Sequence, residues 1–342
     1  MRRFLRPTFG LICLFALATT GCSAKSEPER QSGASPSGQA SATASQEASS
    51  STSYAPYVSA DEASGNDSAG SPSVYNLAFV IAKGSACTPQ WNDSNAIGDS
   101  SVASRISALK KDGAQVRVSF GGASGKELAE TCSSVTKLAA AYGTALDAAG
   151  SSLADFDIEG DTLTDSDSVE LRSEAIALLQ KQRTDLTVSF TLPVMPSGLD
   201  DDSVALLESA NDKSVQVSTV NIMTMNYGES YDGDMGDYAI TSAKAAQAQL
   251  KSVFGTSDAV AWRALALTSM IGTNDVAGET FTLSDAAQMR EFAESKEVAW
   301  VSMWSTFRDQ QCQKGDADED DALTNCSGVS QDAGAFGVAL SG

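Results

Sequence analysis

The 342-residue sequence contains no histidine. That removes Ser-His-Asp and Cys-His nucleophile chemistry and the commonest zinc ligand, so acid–base work near neutral pH falls to carboxylates, tyrosine or lysine. Basic residues are scarce as well: 23 Lys and Arg stand against 44 Asp and Glu, a formal net charge of −21. Phosphate-rich surfaces would be repelled, which makes nucleic acid and anionic membrane faces poor partners and leaves a neutral or weakly cationic polymer open. The one long apolar run at the start, 9–18, follows Arg2, Arg3 and Arg6 and ends in Thr19-Thr20-Gly21-Cys22. It is too short to be a spanning helix and reads as a secretory signal.

Gly21-Cys22 resembles a bacterial lipoprotein cleavage site, in which Cys22 becomes the lipidated N-terminus at the outer face of the cell membrane. Thr19 stands where leucine is usual, and ordinary cleavage nearby would instead release a secreted protein. Residues 23–52 are almost all Ser, Ala, Gly, Gln, Glu and Pro. Such a segment cannot bury enough apolar surface to offset its chain entropy, so it is expected to be a flexible tether. The remainder, 53–342, has no second low-complexity break and suits a single barrel domain, expected to act as a monomer. Of six cysteines, Cys13 leaves with the signal and Cys22 is the expected anchor. Cys87, Cys132, Cys312 and Cys326 allow three connectivities. Cys312–Cys326 is expected as a local loop clip and Cys87–Cys132 across neighbouring elements. No CxxC pair supports a metal site, and neither a metal nor a cofactor is expected.

Short β-rich runs alternate with helical patterns, the signature of βα units around a parallel sheet. Strands are expected at 54–58, 75–82, 115–122, 153–159, 186–193, 217–227, 262–271 and 298–305. Helices are expected at 102–111, 126–149, 167–182, 201–211, 241–254 and 284–295, several opened by an N-cap, as at Asp167, Thr241 and Ser284. Eight strands imply an α/β protein with a (β/α)8 barrel. The Gly/Ser/Asp-rich connection 59–73 offers no helix, so the first βα unit is degenerate or the first strand is misplaced.

Catalytic groups in such barrels sit at the C-terminal strand ends. The fourth strand ends Asp155-Phe156-Asp157-Ile158-Glu159. Alternation puts the three acids on one face and Phe156 and Ile158 on the other, so the acids point into the barrel. Burying like charges together raises the pKa of at least one, which suits an acid that must still carry its proton near neutrality. The bland alternative, a solvated acidic loop such as 161–167, does not explain strict alternation with Phe and Ile. Tyr227 and Trp304, at the ends of the sixth and eighth strands, gain weight from that neighbourhood, whereas Met223 and Met225 read by themselves as packing residues.

At these residues the chain resembles glycoside hydrolase family 18, the chitinase family, and in particular its compact bacterial branch. Ser119-Phe120-Gly121-Gly122 matches SxGG, Asp155 to Glu159 the end of DxxDxDxE, and Met223 to Tyr227 MxMxY. Trp304 stands where the last strand brings a tryptophan, and Met270-Ile271-Gly272 with Asn274-Asp275 also resembles that branch. The resemblance implies a (β/α)8 barrel that cleaves β-1,4-linked N-acetylglucosamine chains of chitin by substrate-assisted, retaining hydrolysis, without a second carboxylate nucleophile. It implies Glu159 as general acid, Asp157 orienting the substrate acetamido group, Asp155 tuning Asp157 through a shared proton, and Tyr227 bonding the acetamido carbonyl. It further implies Trp304 as the apolar floor, Met225 and Asn226 at the substrate, and Gly121 and Gly122 leaving room near the sugar.

Two positions depart from the pattern: Ser152 replaces the outermost aspartate, and Asn226 stands beside the tyrosine where aspartate is expected. Three other readings compete. An endo-β-N-acetylglucosaminidase acting on N-glycan cores shares the mechanism, and a lectin on the same scaffold would keep binding without hydrolysis. A transporter's binding lipoprotein would need two comparable lobes, which eight evenly spaced strands do not suggest.

Overall fold

The computed structural model describes residues 52–313 and 325–342. Cys22, the signal and nearly all of the 23–52 segment lie outside the described residues.

Eight parallel strands close into a barrel. They are β1 (Ser53–Tyr54 and Tyr57–Ser59), β2 (Val74–Lys83), β3 (Gln115–Gly121), β4 (Leu153–Asp157), β5 (Thr187–Pro193), β6 (Val217–Met223), β7 (Leu265–Met270) and β8 (Trp300–Trp304). The first strand closes the ring in two pieces: Ser53 and Tyr54 pair with Trp300 and Val301, and Tyr57 pairs with Asn76. Pro56 marks the break because it has no N–H to give the ladder. The flanking groups still pair, Ala55 N–H with Val301 O at 3.0 Å and Asn76 N–H with Pro56 O at 2.9 Å.

Helices α1 (Ser100–Leu109), α2 (Val135–Ala149), α3 (Ser166–Gln182), α4 (Asp201–Asp212), α5 (Met235–Phe254) and α6 (Leu283–Lys296) follow β2 to β7 in turn, and α7 (Ala335–Ser341) follows β8. The 59–73 connection carries no helix, so the first βα unit is degenerate. Two antiparallel additions were not expected, a ribbon of Ala86–Trp91 with Asn95–Ala96 after β2 and a hairpin of Gly272–Thr273 with Thr280–Phe281 after β7.

Several helix starts differ from expectation because the capping side chain lies upstream of the apolar periodicity. Asp165 rather than Asp167 caps α3, Asp234 starts α5 well before Thr241, and Thr282 rather than Ser284 caps α6, each accepting a first-turn N–H. The helix expected from 126 is a single 3-10 turn, Leu128–Glu130, followed by α2, which Ser134 caps. Ahead of β7, the segment Asp258–Arg263 is a short helix capped by Ser257, not strand. Both expected disulfides are present, Cys87–Cys132 and Cys312–Cys326.

Alternation sorts each strand into two surfaces. Outward residues of β3, β4 and β5 bring Phe120, Phe156 and Phe190 into one row, with ring centroids 5.2 and 5.7 Å apart. Tyr142 of α2 meets the first two edge-on. All four are buried, and each ring stabilises the helix–sheet interface by about 1.5–3 kcal/mol. The inward surface is polar, carrying Ser119, Asp155, Ser189, Asn221, Thr268 and Ser302, all buried.

Candidate active site

The polar interior ends in an open cleft of about 310 Å3 at the C-terminal ends of the strands. Asp157, Glu159, Met225, Asn226 and Trp304 line it, together with Tyr57, Phe79, Thr191, Met223, Met270 and Asp275.

Asp155 lies at the bottom of the ladder with both oxygens met by hydroxyls. Ser119 Oγ and Tyr57 Oη donate to Oδ2 at 2.7 and 3.0 Å, and Ser189 Oγ and Thr191 Oγ1 donate to Oδ1 at 2.7 and 2.9 Å. Thr191 in turn accepts from Asn221 Nδ2 at 3.0 Å, and Asn221 Oδ1 accepts from Thr268 Oγ1 at 2.8 Å. A relay of neutral donors thus runs from β7 to the carboxylate on β4 and immobilises it.

Asp157, two residues on, is also buried, but its Oδ1 meets no donor. Burial, then the charges of Glu159 and Asp155, push its carboxyl well above the usual range. Glu159, half-buried at the cleft mouth, is pushed up as well, first by burial and then by Asp275. The ladder therefore holds a pinned acid below and, facing the cleft, two acids whose carboxyls bind protons more tightly than free ones.

Trp304 forms one wall, stacked on Phe79 with centroids 5.5 Å apart and meeting Tyr57 edge-on at 5.9 Å. Asn226, at φ 55°, donates from Nδ2 to Asp275 Oδ2 at 3.0 Å and accepts from Asp275 N–H at 3.0 Å. It thereby ties the turn after β6 to the loop after β7 and fixes Asp275 near Glu159.

Two expectations about the site need correction. Tyr227 is turned out of the cleft: its buried ring packs against Tyr231 and Tyr238, and its hydroxyl accepts from Ser242 Oγ of α5 at 3.3 Å. The left-handed turn at Asn226 breaks the strand alternation that would have aimed Tyr227 inward. Gly121 and Gly122 do not line the cleft either. At φ 98° and 85° they make room for protein, since a Cβ on Gly121 would strike the carbonyl oxygen of Asp157 and one on Gly122 the ring of Phe79. No hydrogen bond joins Asp155 to Asp157 among the described residues, and Asp155 acts on Asp157 through its charge.

Met223, read as packing, lines the cleft beside Met225. Tyr57, Phe79, Thr191 and Asp275 went unassigned in the sequence. Thr191 was accessible by the same alternation that found Asp155, whereas an aromatic on a barrel strand carries no signal separating wall from core. Among the described residues no group of three or more His, Cys, Asp or Glu side chains is placed to hold a metal ion. Nor is any described helix long and apolar enough to cross a membrane.

This geometry is that of a (β/α)8 barrel with a carboxylate ladder at its mouth, and comparison with known proteins gives it context. No family model matches the chain. It is 33% identical over 249 residues to a probable bifunctional chitinase/lysozyme of Escherichia coli, covering 69% of this chain and 28% of that protein. It is 33% identical over 250 residues to endochitinase 11 of Metarhizium anisopliae, covering 69% of this chain and 47% of that protein. The chain thus spans less than half the length of either relative. Among solved structures, active domain 2 of a thermostable Pyrococcus furiosus chitinase, as catalytic-site mutants complexed with chito-oligosaccharides, superimposes with a TM-score of 0.74 at 27% identity. That match covers 85% of this chain and 93% of the other. These likenesses support glycoside hydrolase family 18.

Proposed function

We propose that the chain is a chitinase-like glycoside hydrolase acting on β-1,4-linked N-acetylglucosamine oligosaccharides by substrate-assisted, retaining hydrolysis. The observation that carries this reading is the unpartnered, buried Oδ1 of Asp157 in a cleft that also holds Glu159, its carboxyl raised by burial and Asp275, and the Trp304 wall. A buried acceptor without a donor is costly, and an acetamido N–H supplied by a bound sugar would satisfy it.

With that N–H on Asp157, the acetamido carbonyl oxygen is aimed at the anomeric carbon. Glu159 gives its proton to the glycosidic oxygen as the C–O bond breaks, and the carbonyl oxygen forms the new bond, leaving an oxazolinium ion. Negative charge on Asp157 and Asp155 stabilises that cation. Glu159, now ionised, takes a proton from water, whose oxygen opens the ring with net retention. The hydroxyl cage around Asp155 keeps the lower acid from following the upper one as charge develops. Trp304 supplies the apolar face under the sugar ring.

The test is product analysis with chitotetraose and, in parallel, a high-mannose glycoprotein, with Glu159→Gln beside the wild type. Chitobiose release by the wild type, reduced about 100- to 10,000-fold in Glu159→Gln with binding retained, is the expected result. Deglycosylation instead would move the protein to the N-glycan-core enzymes, and binding without product would make it a lectin.

For its location, the reading is a monomer held at the outer membrane face through lipidated Cys22, supported by the basic, apolar and Gly21-Cys22 pattern. Cys22→Ala is expected to shift the protein from the membrane to the soluble fraction. Unchanged fractionation would refute the anchor.

A further inference from the structure

Beneath the acid ladder the barrel holds one charge that the hydrolysis described above does not use. Arg117 lies two residues before Ser119 on β3, so both side chains face the interior, Arg117 one layer lower. It is only 7% exposed. Its Nη1 donates to Asn76 Oδ1 at 2.6 Å, and its Cζ lies 3.9 Å from the centroid of the Trp300 ring. Asn76 is anchored by donating Nδ2 to Ala55 O at 2.8 Å. Trp300 itself packs with Ala55 and Ala266 in a small buried cluster.

As a mere plug this layer is badly chosen. A buried guanidinium is expensive to desolvate, yet among the described residues Arg117 has no carboxylate within ion-pair distance. Asp155 shows the converse: it is buried, held by neutral hydroxyls alone, and no cation touches it. Each charge is solvated by neutral groups, and the other lies one layer away. Burial lowers the guanidinium pKa, and Asp155 is the first charge opposing that fall.

We infer that Arg117 is a positioning residue of the active site, the fixed cation of the barrel floor that compensates Asp155 from below and lets the ladder carry negative charge in a water-poor interior. The inference deepens the hydrolase reading and rests on it for its kinetic arm. Removing the cation leaves the negative charge of the ladder uncompensated, so the Asp157 carboxyl, already raised by burial, Glu159 and Asp155, takes up its proton at a still higher pH. The other titratable groups facing this pair are Tyr57 of β1 and Glu159 of β4, with Asp275 beside Glu159 and Arg308 beside Asp275. None of these is altered by a substitution at 117.

The experiment compares Arg117→Met, Arg117→Gln and Arg117→Lys with the wild type in the full chain. The first readout is kcat/KM for chitotetraose against pH. Both neutral variants should move the acid limb up by about one pH unit and lower kcat about tenfold at pH 5 with KM little changed, while lysine restores the wild-type limb. Acid limbs that coincide in all four proteins, or a lysine variant displaced as far as the methionine variant, would overturn the inference.

The second readout needs no catalysis and separates a failure of the hydrolase reading from a failure of this one. The stability lost by Arg117→Met should be largest at pH 7, where the ladder is most negative, and shrink toward pH 3 as the raised carboxyls of Asp157 and Glu159 take up protons. An equal loss at both pH values would overturn the inference even in a protein without hydrolytic activity. Should neither neutral variant fold while lysine folds, the requirement for a cation at this position is met directly. Failure of all three to fold would assign Arg117 to packing.

Discussion

Glu127 and Asp157 are both carboxylates with almost no exposed surface, 3% and 5%, and both stand at the end of the same sheet. Glu127 lies outside the barrel, between β3 and α2, and every approach to it is filled. Arg172 of α3 grips Oε2 through Nε and Nη2 at 3.1 and 2.8 Å, Tyr142 donates to Oε1 at 2.6 Å, and Ala129 N–H adds a fourth bond at 2.9 Å. Asp157 lies inside the barrel with two acids for neighbours and an oxygen that nothing reaches. The first arrangement welds a turn and two helices to the sheet. The second stores an unmet demand for a donor, and the cleft beside it is where a donor can arrive. Buried charge thus separates structure from site by whether its hydrogen bonds are complete.

The largest expected effect breaks the complete cluster. Arg172→Leu leaves Glu127 charged and buried beside a tyrosine, and breaking such a pair costs about 3–5 kcal/mol. Denaturant unfolding followed by intrinsic fluorescence would measure it, and the fraction still folded at low denaturant should keep its hydrolytic pH profile. A loss below about 1 kcal/mol would mean that Glu127 is neutralised or rehydrated at little cost, and the contrast between the clusters would fail on the structural side.

Much of this contrast was legible in the sequence, and where it was not there is a local reason. Strict alternation across 155–159 exposed the inward acids, because period-two patterning on a strand surrounded by helices leaves only one place for polar side chains. The same rule failed at Tyr227, where one left-handed residue, Asn226, flips the order. It is held there by bonds to a loop about fifty residues away, which no local window contains. The start of α5 was missed because 235–240 includes Gly236, and the cap that starts it, Asp234, lies before the periodic run. Phe79 and Tyr57 read as core, and their rings do pack on Trp304; only closure of the barrel makes that packing the wall of a cleft. Glu127 and Arg172 are 45 residues apart, a pairing that sequence distance conceals entirely.

The smallest expected effect tests the incomplete cluster and has the opposite sign. Burial, Glu159 and Asp155 all raise the Asp157 carboxyl above its value in the unfolded chain, near 3.9. Between those two values the folded protein binds more protons than the unfolded one, so stability falls as pH rises through that window. The contribution is complete below about pH 3.9 and lost by the time the folded group has ionised. Asparagine cannot titrate, and it removes the repulsion from the acids on either side. Asp157→Asn should therefore be more stable than the wild type at pH 7, by about 1 kcal/mol, with the gap closing as pH falls toward 4. Hydrolysis should fall in the same variant, because the asparagine amide cannot carry the negative charge that faces the oxazolinium. Thermal unfolding from pH 3 to pH 8 would decide it. A stability gain that is the same at both ends would not come from titration of Asp157. A loss at pH 7 would mean that Oδ1 already has a partner in solution, and Asp157 would then belong with Glu127 as a finished structural contact.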